Sequence, residues 1–299
     1  MKKILFIIKK PLTKESSVKQ QIHNGWVDDC RKIFDIQFWG KGYTNTSIKS
    51  LQNKIDSFKP DYIYMTKRKN YFKWLPDLTN IKVPKIYVEV DTYKYNAVNL
   101  WYTQFDKVYR RSFFDINSYV RRTHNDIGKK IKKNISGWCN AQIFKWSIPC
   151  EYICSVNGMR HGIYHFGAVK RRGYKYRKLV YDTYKSKDGV GVVDYHKALD
   201  GSYWSRLYRA SALLCPTESD YGDFVPAKLF EYLASGSAVI TNCDLVQYGC
   251  PELEKYVIKY KNIKDLKSKL FMNFVPYHGK ALKAIRNHTH IVRYKELFT

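Results

Sequence analysis

Lys228 and Glu231 stand three residues apart inside DFVPAKLFEYLASGSAVITN, the stretch Asp223–Asn242. Pro226 fits a first helical turn, where the missing N–H has no partner to lose. Ala227, Phe230, Leu233 and Ala234 recur at helical spacing and define one buried face. Gly236 stops the helix, and Ser237–Thr241 reads as a short buried strand. Lys228 and Glu231 therefore share one side of a helix near its positive end. A cation beside a helix N-terminus suits a diphosphate. A carboxylate one turn further on suits the paired hydroxyls of a ribose. Asp223 closes the acidic loop Glu218–Asp223 ahead of the helix. The alternative is an amphipathic helix whose Lys–Glu pair is merely solvated.

Further groups extend this chemistry. Glu151–Val156 reads as a strand, and NGMRHGIYH after it offers Gly158, Arg160 and His161. Glycine permits close backbone approach to phosphate, and an arginine fork matches its oxygens. Arg177 lies in the basic run KYRK that opens the next helix. Asp91, at the end of the strand in KIYVEVDTY, is a candidate general base or, as a helix cap, a structural residue. Lys67, Arg68, Lys69, Tyr71 and Trp74 form a basic and aromatic loop. Arg121 and Arg122, with Lys170, Arg171 and Arg172, add further positive charge. Basic side chains can follow phosphates while rings stack on bases. No GxGxxG follows a strand and no GxxxxGK[ST] occurs, which disfavours redox dinucleotide and P-loop chemistry. No Asp-x-Asp pair offers a metal–diphosphate site, so no metal is expected.

These residues need a scaffold. Lys3–Ile8, Asp35–Trp39, Tyr62–Thr66, Lys85–Asp91 and Lys107–Arg110 read as strands alternating with helices over Ser17–Phe34 and Ile48–Phe58. Such alternation predicts a parallel, doubly wound α/β sheet. Ser112–Lys133 reads as a basic helix and Asn134–Pro149 as the passage between domains. A second series then runs through a helix at Tyr174–Tyr184, a strand at Gly189–Val193, a helix at Tyr203–Ala210 and a strand at Ala212–Cys215. Helical stretches at Ile263–Phe271 and Lys280–Phe298 close the chain. The expected division is residues 1–140, residues 141–275, and a C-terminal helical segment, 276–299, returning to the first domain.

Charge narrows the partners. With 53 Lys+Arg against 26 Asp+Glu, the net charge is +27, a field that draws polyanions: nucleic acid, an anionic membrane or a nucleotide. An AT-rich coding sequence would also raise the lysine and tyrosine counts. Seven cysteines, an odd number without zinc spacing, read as reduced thiols. Met1–Lys10 is too short and too charged for a signal peptide, and no apolar run reaches membrane-spanning length. A soluble cytoplasmic protein is expected (in the host cytoplasm if viral), as a monomer or weak dimer.

The run Tyr203–Asn242 resembles the donor-binding segment of two-domain GT-B glycosyltransferases. Those enzymes carry an acidic residue, then a glutamate after an interval of seven, then a small-residue turn and a strand. Here the pair is Asp223 and Glu231, with aspartate in place of the commoner glutamate. Within that class the chain resembles the phage DNA glucosyltransferases and the spore-coat-maturation type. The resemblance implies a GT-B architecture, two Rossmann-like parallel-sheet domains with a cleft between them. It implies transfer of a sugar from a nucleotide sugar, UDP-glucose first among them, to a hydroxyl acceptor. Glu231 would hold the ribose, Lys228 and Arg160 the diphosphate, and Asp91 would match the catalytic aspartate of the phage enzymes. The favoured acceptor is a hydroxymethylated pyrimidine in DNA, which must leave the base stack to react. Two other readings stay open: a membrane-surface enzyme glycosylating a lipid or cell-wall glycan, and a noncatalytic nucleic-acid-binding protein on the same scaffold. Lys9, Lys10 and Pro11 stand where many GT-B enzymes have a glycine-rich loop.

Overall fold

The computed structural model describes residues 1–10, 26–66, 74–89, 104–110, 142–143, 145, 147–154, 158–167, 175–185, 190–193, 202–217, 225–274 and 278–299. The chain forms two units, one from Met1–Lys14, Cys30–Phe144 and Tyr294–Thr299, the other from Glu15–Asp29 and Lys145–Arg293.

Unit 1 is built on a parallel sheet. Its strands are β1 (Lys3–Ile7), β2 (Asp35–Trp39), β3 (Tyr62–Thr66), β4 (Lys85–Glu89), β5 (Lys107–Arg110) and β6 (Gln142–Ile143). Their order is β2-β1-β3-β4-β5-β6. β1 has no exposed face: Ile4, Leu5, Phe6 and Ile7 are all buried, the continuous apolar run that a centrally placed parallel strand requires. Helix α1 (Ile48–Phe58) buries Leu51, Ile55 and Phe58, spaced as one helical face, and Ser47 caps its first turn by accepting from the Ser50 N–H. Phe298, near the end of the chain, packs edge-on against Phe6, Phe34 and Tyr64. The Tyr64 and Tyr294 hydroxyls meet at 3.2 Å. β6 extends the sheet beyond β5, where sequence reading places the last strand and an interdomain passage.

Unit 2 has five parallel strands, β7 (His161–Phe166), β8 (Val190–Val193), β9 (Ala210–Cys215), β10 (Ala238–Thr241) and β11 (Val257–Lys259), in the order β11-β10-β9-β7-β8. Helices α2 (Lys175–Tyr184), α3 (Ser202–Arg209) and α4 (Ala227–Ala234) belong to this unit, and α4 joins β9 to β10. Ile163, Val180, Leu214, Ile240 and Leu266 share its core. One expectation is corrected here. Residues 150–152 form a single 3₁₀ turn, and the first strand of the unit lies later, at β7. Tyr152 instead stacks flat on Trp204, ring centroids 4.3 Å apart, which gives that apolar segment its burial without a ladder. The C-terminal helical stretch is two helices, His278–Ile285 and His290–Leu297, parted by a 3₁₀ turn at Arg286–His288.

Candidate functional site

In unit 2 the chain's winding reverses between β7 and β9. Open parallel sheets hold ligands beyond the strand C-termini at such a reversal. His165 sits on this seam: its Nδ1 lies 2.8 Å from the Leu214 carbonyl oxygen. A carbonyl can only accept, so Nδ1 carries the proton and Nε2 keeps a lone pair. The ring is 3% exposed. Nε2 has no hydrogen-bond partner among the described residues. Burial, then the charges of Lys228 and Arg177, hold the ring well below the usual histidine range, so it is neutral.

β7 is followed by Gly167, whose φ of +144° is open to glycine and strained for other residues. A Cβ there would collide with Lys228 Nζ and would lie 3.7 Å from both Arg177 Nη1 and His165 Nε2. The missing side chain thus lets Lys228 Nζ stand where a Cβ would be, with Arg177 Nη1 and His165 Nε2 close by. Lys228 donates to the Phe166 carbonyl, which also accepts from the Tyr232 hydroxyl at 3.1 Å. Burial and the neighbouring Arg177 charge push the Lys228 ammonium down to about 8. Arg177 comes from the first turn of α2 and Lys228 from the first turn of α4, so two helix N-termini add their positive ends.

Glu231 lies one turn along α4, 9% exposed. The Tyr203 hydroxyl donates to its Oε2 at 2.5 Å. Burial raises the carboxyl above the ordinary glutamate range, against the pull of Tyr203 and Lys228. Of the donor-site residues expected from sequence, the structure brings Arg177, Lys228 and Glu231 to this end of the sheet. Gly167, His165 and Tyr203 join them without having been expected.

Gly158, Arg160 and His161, expected to meet phosphate, stand elsewhere in the unit. Gly158 and Arg160 precede β7 and His161 opens it, so they lie at the opposite, N-terminal end of the strand. Gly158 is exposed with nothing near it, and His161 is exposed with its ring edge toward Tyr164. Arg160 donates to Ser237 Oγ at 2.7 Å and to the Ser235 carbonyl at 2.9 Å, closing the C-terminal end of α4. Arg160→Ala should therefore cost about 2–3 kcal/mol, because it strips a partner from buried acceptors. The melting temperature should fall by roughly 5–10 °C, with donor KM unchanged. A raised KM at unaltered melting temperature would return Arg160 to the ligand site.

Trp74, expected to contact acceptor, packs against the unit 1 core beside Trp39, centroids 6.1 Å apart. Asp91, Asp223, Lys67, Arg68, Lys69, Tyr71, Arg121, Arg122, Lys170, Arg171 and Arg172 lie outside the described residues.

A second titratable cluster, Cys250, Glu252 and His288, brings its ligand-type atoms within 4.8 Å of one another. Both ring nitrogens of His288 are engaged: Nε2 donates to Glu252 Oε1 and Nδ1 accepts from Arg293, each at 2.7 Å. Burial and the adjacent Arg293 hold the ring down to about 4, and a neutral ring with no spare lone pair is a structural node, not a metal ligand.

The architecture matches solved structures over its whole length. AviGT4, a glycosyltransferase involved in avilamycin A biosynthesis, aligns with a TM-score of 0.54 at 12% identity, covering 100% of this chain and 97% of its own. The fold is GT-B. Sucrose-phosphate synthase from Thermosynechococcus elongatus aligns at 0.53 and 9% identity, covering 100% and 98%. The lipopolysaccharide outer core galactosyltransferase WaaB, in apo form, gives 0.51 and 11%, covering 99% and 98%. The sequence matches no protein-family model. It matches no curated protein. Within the GT-B chain, the cluster of Lys228, Arg177 and Glu231 stands at the strand ends of the C-terminal sheet. Among the described residues no helix is long and apolar enough to cross a membrane.

Proposed function

We propose that the protein is a glycosyltransferase that moves a hexose from a nucleotide sugar, UDP-glucose in the first instance, to a hydroxyl acceptor. The observation that carries this is the convergence of Lys228, Arg177 and Glu231 at the β7/β9 seam of a GT-B chain. Two cations meet there beside two helix N-termini, chemistry suited to a diphosphate. Glu231, fixed by Tyr203, offers an acceptor for ribose hydroxyls. Two of the similar structures, AviGT4 and WaaB, are glycosyltransferases by name.

In the reaction the acceptor oxygen bonds to the anomeric carbon as the bond from that carbon to the diphosphate breaks. The leaving diphosphate gains negative charge, which Lys228 and Arg177 neutralise in place. Asp91 takes the acceptor hydroxyl's proton if the configuration inverts. Of the acceptors, we favour DNA bearing a hydroxymethylated pyrimidine, on the strength of the +27 charge and the interleaved basic and aromatic residues.

The test combines both halves of the reading. The full chain is incubated with a panel of nucleotide sugars and hydroxymethylated DNA, and the digested nucleosides are weighed by mass spectrometry. A hexose mass added to the modified nucleoside, with matching release of nucleoside diphosphate, is expected. Gly167→Val should abolish it by driving Lys228 Nζ from its place. Diphosphate release without nucleoside modification would move the acceptor to the lipid or cell-wall glycan reading. No release with any donor would remove the enzymatic reading, and salt-sensitive DNA binding alone would leave the noncatalytic one.

A further inference from the structure

The buried lone pair of His165 has no role in the function argued so far. Buried polar atoms are nearly always paired, and an orphan inside a native fold asks for a ligand. Its surroundings say which kind. Arg177 faces the ring from α2 and Lys228 from α4, with Glu231 one turn further along. From β9 come the Leu214 carbonyl, already taken by Nδ1–H, and the Cys215 thiol, which burial keeps protonated. Gly167 has no side chain, so Lys228 Nζ stands beside the ring where any other residue would put carbon.

An anion drawn in by Lys228 and Arg177 would meet the lone pair on Nε2 beside them. Two acceptors cannot share a contact without a hydrogen between them. One proton removes the conflict and turns repulsion into a charge-assisted hydrogen bond. We propose that His165 is a third ligand of the donor diphosphate, its Nε2 taking a proton from solvent as the anion binds and donating it to a phosphate oxygen. The proposal rests on the donor-site reading above. The anion supplies the negative charge that offsets Arg177 and Lys228, the two cations that otherwise oppose an imidazolium at this position. Nδ1–H stays on the Leu214 carbonyl throughout, so the ring need not turn. Binding and proton uptake are then linked, and donor affinity falls as pH rises through neutrality.

Titration calorimetry of the full chain at pH 7, in two buffers of different ionisation enthalpy, reads the protons taken up. Intact nucleotide sugar is one probe and inorganic pyrophosphate the other. At this pH Lys228 is already charged and contributes little. Uptake should approach about one proton per site in the native chain. It should be absent in His165→Asn, whose side-chain amide can still donate to Leu214. Nitrogen NMR of the histidine-labelled native chain gives a second reading that needs no variant: Nε2 should become protonated on saturation.

Equal uptake in chain and variant, or an unprotonated Nε2 in the saturated complex, overturns the proposal. Linked uptake with pyrophosphate but no binding of any nucleotide sugar supports His165 and overturns the donor reading. Binding of neither probe overturns both.

Discussion

Lys228→Met should lose about two orders of magnitude in donor-dependent turnover while melting about 5 °C higher than the native chain. The two effects have one cause. In the unliganded protein the Lys228 ammonium is half-buried and faces Arg177, so its charge is disfavoured and its titration is pushed down to about 8 from an ordinary 10.5. Below pH 8 the folded chain carries the whole penalty, on the order of 2 kcal/mol after allowance for the part of the side chain that solvent reaches. Between pH 8 and 10.5 the unfolded chain holds a proton that the folded chain has released, so native stability rises with pH across that window. Methionine keeps the apolar stem and removes the charge. The Phe166 carbonyl is not orphaned, because the Tyr232 hydroxyl still donates to it. Calorimetric melting without ligand, at pH 7 and again near pH 10, checks the sign: the advantage of the variant should be largest at pH 7 and shrink at pH 10. A variant that melts lower and keeps its donor KM would show that Lys228 is structural.

That trade of stability for charge marks what sequence could and could not reveal. The spacing of Lys228 and Glu231 was legible because one short helix carries both, and helical period alone puts them on a common side. The strands of unit 1 were legible for a similar reason: each is a short apolar run bounded by turn residues, and Asp35–Trp39, Tyr62–Thr66 and Lys107–Arg110 fall where the pattern puts them. β7 was not. His161–Phe166 carries two histidines and a glycine, and the apolar segment before it, with Tyr152 stacked on Trp204, imitated a strand more convincingly. The strand's C-terminal end lies at Phe166 instead of Val156. Placing the strand early puts Arg160 and His161 in a ligand loop and leaves His165 and Gly167, at the true strand end, outside the donor set. A period-2 pattern ending in a glycine, YHFG, was the available signal. Tyr203 had none, because its partner Glu231 is 28 residues away.

Glu231→Gln should lower kcat/KM for the donor about 10²-fold, chiefly through KM. The Tyr203 hydroxyl donates to Oε2 at 2.5 Å, and an amide oxygen can accept that bond equally, so the helix and its packing are kept. What changes is the other arm of the group: a carboxylate oxygen that accepts from a ribose hydroxyl becomes an NH₂ that can only donate. The lost bond is one to a charged acceptor, worth roughly 1.5–3 kcal/mol. Ribose is remote from the breaking bond, so the loss falls on ground state and transition state alike, which is why it appears in KM. Burial raises the folded-state titration of Glu231, so the folded chain holds that proton more tightly than the unfolded one. Unliganded stability therefore declines as pH rises from the ordinary 4.5 through the raised value. Donor binding needs the ionised form, and native KM should climb as pH falls into the same window. Glutamine has no proton to lose, so both pH dependences should flatten in the variant. An unchanged KM with the native acid limb intact would place the ribose elsewhere and leave Glu231 as a buried helix residue held by Tyr203.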